Sequence, residues 1–448
     1  MSDIRAMSNR LSGRFTVPDL CTFSWPTIVS LVFISMYSMV DGAFVARLVG
    51  TDALSAVNLF FPVACVYFAV GIMLATGASA IVARQMGEGR PGEARANFSF
   101  VVVVALAVGV IQAALALTFL DPLLRLLGAE GGLLLLCREY ALPLLPFVPA
   151  AIIQVLLQSF FIAAGRPGFG LAITLSGGLL NIVLDYVFIA LFGWGLSGAA
   201  LATGIGYSLP AVLGLAYFLF KRTGSLYLVR PRVDWRLLVD SCVNGSSEMV
   251  TNLSAAVVIY LFNMSMLRYL GVDGVAAVTI VLYAEFLLSS INYGYSSGVA
   301  PLFSYQYGKS DGGKLKKLFR NSVLLVGGCS AAALAIAQTF AGHIVSVFAS
   351  ADGTVYHYAL HGYRIYSLCF LFMGFNIFAS ALFTALSNGK ISALLSFLRF
   401  VFIAGAILVL PRFVGVDGIW MAVPLAEVVA VAVSAYCVYR YRGMYRYA

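Results

Sequence analysis

Five carboxylates interrupt long apolar runs in this chain: Asp41, Asp185, Glu248, Glu285 and Glu427. An ionisable side chain inside a membrane-length apolar run is costly enough to mark a functional candidate. The stretch SGGLLNIVLDYVFIALFGWG, Ser176 to Gly195, places Asn181 and Asp185 one helical turn apart on the same face. At 1.5 Å per residue, Asp41 lies roughly 8 Å from the far end of the first run and Asp185 roughly 10 Å from the far end of the fifth. Thr203, counted from the start of the sixth run, is also at roughly 10 Å, and Asn181 sits one turn deeper. Two carboxylates, an amide oxygen and a hydroxyl form a hard-oxygen set suited to a proton or Na⁺. Two carboxylates sharing a poorly solvated site cannot both stay ionised cheaply, so an arriving cation would favour a different packing of the helices around it.

The elements that must position these groups are membrane helices. Of 448 residues, 61% are hydrophobic and only 10% charged, and the mean hydropathy is +0.95. No soluble core needs that much apolar surface, so the chain is an all-α integral membrane protein with about twelve spanning helices. The seven cysteines stand singly, without a CxxC pair or a histidine at ligand spacing; no disulfide framework, metal cluster or cofactor is expected. The first nineteen residues are polar and carry Arg5, Arg10 and Arg14, and the apolar segment after them contains Asp41 rather than a cleavage site. An uncleaved first helix fits this better than a signal peptide. The net charge of +9 comes from short loops, which points to membrane orientation rather than nucleic acid. With a cytoplasmic N-terminus, about 21 of the Lys and Arg fall on the cytoplasmic side and about six on the other, so both termini are expected inside the plasma membrane.

The two halves also resemble each other at an offset of about 221 residues, the organisation of many transporters. GTDALSAV (50–57) matches GVDGVAAV (271–278), Gly77, Gln85 and Gly87 fall on Gly298, Gln306 and Gly308, and FIAAGRP (161–167) lines up with FTALSNG (383–389). Six helices per half make the repeat parallel, with a pseudo-two-fold along the membrane normal and a central cleft between the bundles. The expected organisation is a cytoplasmic tail (1–19), a six-helix bundle (20–221), an arginine-rich linker (222–236), a second bundle (237–439) and a cytoplasmic tail (440–448). At the repeat offset Asp41 falls on Phe262 and Asp185 on Ala406, so the cation site belongs to the first bundle alone.

Several other residues could act around this site. Pro26 lies fifteen residues before Asp41 in the first helix, where it removes a backbone hydrogen bond and could act as a hinge. Tyr37 stands one turn before Asp41, and Gln154 and Gln158 are spaced i, i+4 on the fourth helix; these could line a substrate pocket together with Met36. Glu248 and Glu285 sit mid-helix in the second bundle, where they either attract cationic substrates or are held structurally by Arg399 or buried polar groups. Glu427 reads as structural.

At these residues the sequence resembles the multidrug and toxic compound extrusion (MATE) family. The resemblance covers nearly the whole chain, through SWPTIVSLVFISMYSMVDGAFVARLVGTDALSAVNLFFP, ARQMGEGRPGEA, FIAAGRP and NIVLDYVFI followed by GLSGAALAT. It implies twelve helices in two bundles around a V-shaped cleft. It also implies export of amphipathic, often cationic drugs or other organic compounds by antiport with H⁺ or Na⁺. It assigns the first-helix acid to Asp41 and, in the DinF-like branch, the rest of the cation site to Asn181, Asp185 and Thr203. The NorM-like branch relies on acids in the second bundle; the tenth helix here has none in its apolar run, which favours the DinF-like side. The carrier is expected to be a monomer among membrane lipids and not an enzyme, since Asp-rich prenyltransferase motifs and HExxH are missing from the sequence. A lipid or lipid-linked oligosaccharide flippase of the same superfamily is the alternative, and it would be expected to line its cleft with basic residues, whereas Arg399 is the one cation well inside a span.

Overall fold

A computed structural model describes residues 15–350 and 353–447. Arg5, Arg10 and Arg14 of the expected N-terminal tail lie outside the described residues. Lipid cannot hydrogen-bond a bare backbone, so apolar runs of this length close their amide bonds within helices. The spanning segments are α1 (Val17–Val49), α2 (Asp52–Gly87), α3 (Pro91–Thr118), α4 (Gly131–Ala163), α5 (Pro167–Leu191) and α6 (Gly195–Phe220). A helical stretch over Trp235–Gly308 breaks at Gly271 into α7 (235–270) and α8 (272–308), and α9 (Gly312–Thr339), α10 (Thr354–Ala385), α11 (Gly389–Val414) and α12 (Val416–Tyr445) follow. The chain is thus a multi-pass, all-α membrane protein. The helix α12 carries residues 440–445, which the sequence assigns to a tail, because Tyr445 is buried and Tyr447 packs its ring at a tilt against Phe319 and donates its hydroxyl to Val438 O.

The internal repeat is visible in the turns. Left-handed backbone recurs at Gly50 and Gly271, Gly89 and Ser310, Gly165 and Ser387, and Gly195 and Gly415, pairs separated by 220 to 222 residues. At Gly50 and Gly271 the positive φ explains why glycine stands at both places, since any Cβ would strain such a bend.

The chain folds as two compact units, one of residues 32–245 and the other of residues 246–447 with the opening of α1 up to Leu31. The division therefore does not fall at the linker. In the second unit, α1 lies close along α8: a Cβ at Gly294 would sit 2.6 Å from Ile28 Cα, and one at Gly298 3.2 Å from Ser24 Cα. In the first unit, α7 before residue 246 crosses α2 with Gly77 facing Ser241 and Gly245 facing Met73, again too close for any side chain on the glycines. The linker is clamped onto the first unit. Arg95 of α3 donates to Ser225 O (2.8 Å) and Tyr227 Oη (2.9 Å) and stacks on the Tyr227 ring, and Ser99 Oγ accepts from Val229 N (2.8 Å).

Candidate functional site

Small residues bring the acids together. On α5, Gly177 faces α6 so closely that a Cβ would lie 2.5 Å from Pro210 Cγ and 2.7 Å from Gly206 O. Gly206 returns the contact, with Asn181 Cβ only 2.9 Å from the place of a Cβ. The neighbouring Gly178 faces α1, its Cβ position 2.5 Å from Phe33 Cε1 and 3.1 Å from Tyr37 Cδ1. Since α1 and α5 run the same way, this seam continues to the next turns and meets at Asp41 and Asp185.

Those two carboxyl groups lie close enough to interact directly with each other. Asp185 is fully buried, Asn181 3% and Thr203 8% exposed. Among the described residues no donor reaches either oxygen of Asp185 or Oδ1 of Asp41, and no acceptor reaches Nδ2 of Asn181. Thr203 Oγ1 sits beside the Tyr140 hydroxyl without closing a hydrogen bond of normal geometry. An ionised carboxylate only accepts, so two of them in contact repel unless a proton or a cation lies between their oxygens. The groups present fit either: two carboxylates, with the Asn181 amide one turn before Asp185 and the Thr203 hydroxyl beside Tyr140, which itself lies within electrostatic range of both acids.

Two further features surround the pair. Within one turn after each acid its helix widens into a π turn, Val45–Val49 on α1, four residues beyond Asp41, and Tyr186–Leu191 on α5, directly after Asp185, a distortion that recurs at functional sites. Four phenols cluster around it as well. Tyr37, Tyr140 and Tyr207 lie within electrostatic range of Asp41, Tyr140 also of Asp185, and Tyr67 couples to the other three. Of these the sequence reading singles out Tyr37 alone. Counting depth along α4 would have found Tyr140, nine residues from Gly131, roughly 13 Å in and level with the acids. The π turns carry no sequence signal.

Other candidates lie elsewhere. Gln154 is fourteen residues beyond Tyr140 on α4, roughly 21 Å further along the helix, with Gln158 a turn beyond that; both are half-buried. Met36 is 55% exposed. Pro26 belongs to the part of α1 that packs in the second unit, where its carbonyl accepts from Ser30 Oγ at 2.8 Å. Glu248 and Glu285 are also in the second unit. Arg399 is not their partner: its Nε and Nη2 both bind Glu427 Oε1 at 2.6 Å, and Asn376 Nδ2 holds Glu427 Oε2 at 2.6 Å. Glu427 is the fixed counter-charge, as expected of a structural residue.

Comparison with known proteins assigns the family. The MatE family model matches residues 26–187 and 249–408, one stretch in each half. The chain belongs to the MatE family. Among curated MatE relatives, the multidrug export protein MepA of Staphylococcus aureus (strain bovine RF122 / ET3-1) is 23% identical over 432 residues, covering 94% of this chain and 93% of MepA. MepA of Staphylococcus saprophyticus is likewise 23% identical, over 423 residues. Among solved structures, a crystal structure of MATE in complex with MaL6 superposes with a TM-score of 0.93 at 22% identity over 99% of both chains. A multidrug resistance MATE family transporter of the MOP superfamily in an outward-facing conformation gives 0.92 at 22% identity, again over 99% of both chains. At that identity the superpositions show that this chain has the MatE fold.

Proposed function

We propose that this protein exports amphipathic, often cationic organic compounds by antiport with H⁺ or Na⁺, moving through alternating access. One observation carries the coupling: Asp41 and Asp185 lie against each other as two acceptors, and among the described residues no donor reaches Asp41 Oδ1 or either oxygen of Asp185. A proton or Na⁺ bound there, with Asn181 and Thr203 completing the ligand set, draws α1 and α5 together, and its departure leaves two like charges that favour separation. Such a cation-dependent contact is what an antiporter needs to link ion binding to helix packing. The first-unit location of all four groups and the lack of an acid in α10 support the DinF-like branch. The relatives named as multidrug exporters support drug-like substrates. The charge bias of the loops supports a plasma-membrane carrier with cytoplasmic termini. A flippase for lipid pyrophosphates gains no support, because Arg399, the cation well inside a span, is already neutralised by Glu427.

The test is efflux of a fluorescent organic cation from vesicles under an imposed pH or Na⁺ gradient. Asp41→Asn and Asp185→Asn are expected to lose gradient-driven transport while still binding the dye. Undiminished transport in both variants sinks the assignment.

A further inference from the structure

The second unit contains a row of hydroxyls that the coupling site does not use. At helical spacing, α10 contributes Asn376, Ser380 and Thr384, α11 contributes Ser392, Ser396 and Arg399, and α7 contributes Ser247, Glu248 and Thr251. These positions face one another. Ser247 Oγ lies 3.2 Å from Thr384 Oγ1, which lies 2.8 Å from Ser392 Oγ. Ser392 Oγ lies 2.9 Å from Ser380 Oγ, which is 3.2 Å from Ser396 Oγ, and Thr251 Oγ1 donates to Ser396 Oγ at 3.2 Å. Ser247 and Ser392 are fully buried, Thr384 is 5% and Ser380 and Ser396 are 8% exposed. The row begins beside the turn that joins α10 to α11, where Ser387 and Asn388 are half-exposed. It ends in a polar cavity of about 20 Å³ lined by Glu248, Thr251, Tyr293, Ser380, Ser396 and Arg399, among others, enough for one or two waters.

From this geometry we propose that the hydroxyl row is a proton path from the α10–α11 turn through the second unit to Glu248. A hydroxyl donates one proton and accepts two, so a chain of them can be polarised in either sense and pass a proton by exchanging O–H bonds along it. An incoming proton binds the first oxygen, each hydroxyl hands its own proton on, and the last proton forms an O–H bond on the Glu248 carboxylate through water in the cavity. The net change is one proton from solvent and one carboxylate converted to a carboxylic acid. Glu248 is the acceptor because it is the acid that lines the cavity, while Glu427 nearby is held by Arg399 and Asn376. Among the described residues no side chain hydrogen-bonds the Glu248 carboxylate; the Asn252 amide donates to its backbone carbonyl instead. The groups facing it are Arg399 from α11, Tyr293 from α8 and the cavity hydroxyls, with Glu285 of α8 and Glu427 of α12 next around Arg399. Simple packing would not need an unbroken run of five hydroxyl contacts that stops at an acid without a donor.

The test is infrared spectroscopy after a pH jump on the full chain in lipid nanodiscs, carried by an Asp41→Asn, Asp185→Asn background so that the first-unit acids do not contribute. A carboxylic C=O band is expected that Glu248→Gln removes. Ser380→Ala and Ser396→Ala are expected to keep its amplitude and slow its appearance at least about tenfold, while Ser380→Thr, which retains the hydroxyl, keeps the wild-type rate. A band unaffected by Glu248→Gln, equal rates in the alanine variants, or a Ser380→Thr rate as slow as alanine overturns the path. Because both coupling acids are already Asn, none of these outcomes depends on the antiport assignment.

Discussion

Replacing Gly177 by alanine tests the positioning of the proposed coupling site without touching a proposed ligand. The added Cβ meets Pro210 Cγ at 2.5 Å and Gly206 O at 2.7 Å, a ring atom and a backbone atom that cannot swing aside. Restoring a normal contact of about 3.6 Å requires α5 to retreat from α6 by about 1 Å at this turn. Overpacking of this kind costs about 1–3 kcal/mol, while alanine gains about 1 kcal/mol over glycine in a helix, so the fold loses about 0–2 kcal/mol. The cation site loses more selectively, because Asn181 and Asp185 follow Gly177 on the same face and move away from Thr203 with it. Taking a carboxylate from 4 to 5 Å of a bound charge costs about 0.8 kcal/mol at an effective dielectric constant of 20. A weakened amide contact adds about 0.5–1 kcal/mol. Together these predict roughly tenfold weaker coupling-cation dependence of transport. The assay is dye efflux in proteoliposomes as a function of cation concentration, beside thermal unfolding in detergent. Gly168→Ala on the same helix is the control, since its Cβ meets nothing within 4 Å. Wild-type cation dependence in Gly177→Ala, or equal damage in Gly168→Ala, refutes the reasoning.

Glu427→Gln is expected to destabilise the second unit by about 3–5 kcal/mol, because it leaves Arg399 buried beside a neutral partner, whereas an Arg399→Met, Glu427→Leu double variant recovers most of that loss; unfolding midpoints of the three proteins check it, and an additive double variant contradicts it. Arg95→Ala is expected to release the linker from α3, so that trypsin cuts after Lys221, Arg222 or Arg232 several-fold faster than in wild type; unchanged cleavage kinetics count against the clamp.

How far the site was legible depended on geometry along single helices. Asp41, Asn181, Asp185 and Thr203 could be placed in one layer because a helix rises a fixed distance per residue, and the acids do meet. Pairing across helices was not legible that way. Arg399 chose Glu427 over Glu248 and Glu285 through side-chain reach between α11 and α12, which no spacing within one helix encodes. The hydroxyl row escaped for a related reason: serine and threonine on a membrane helix usually bond back to their own backbone, as Ser24, Ser30 and Thr76 do here, so isolated ones carry no signal until three helices are seen to align them.

The sequence by itself determined that this chain is a helical membrane protein with two related halves and acids in the first. Composition, run length and the recurrence of turn residues are properties of local chain segments, and lipid leaves such segments little choice but helix. Only the tertiary structure decided which half of a helix belongs to which unit. The opening of α1 joins the second unit and the opening of α7 joins the first, because glycines at 77, 245, 294 and 298 allow backbones to approach where any side chain would hold them apart. It was also close packing at Gly177, Gly178 and Gly206 that brought two costly carboxylates, distant in sequence, side by side.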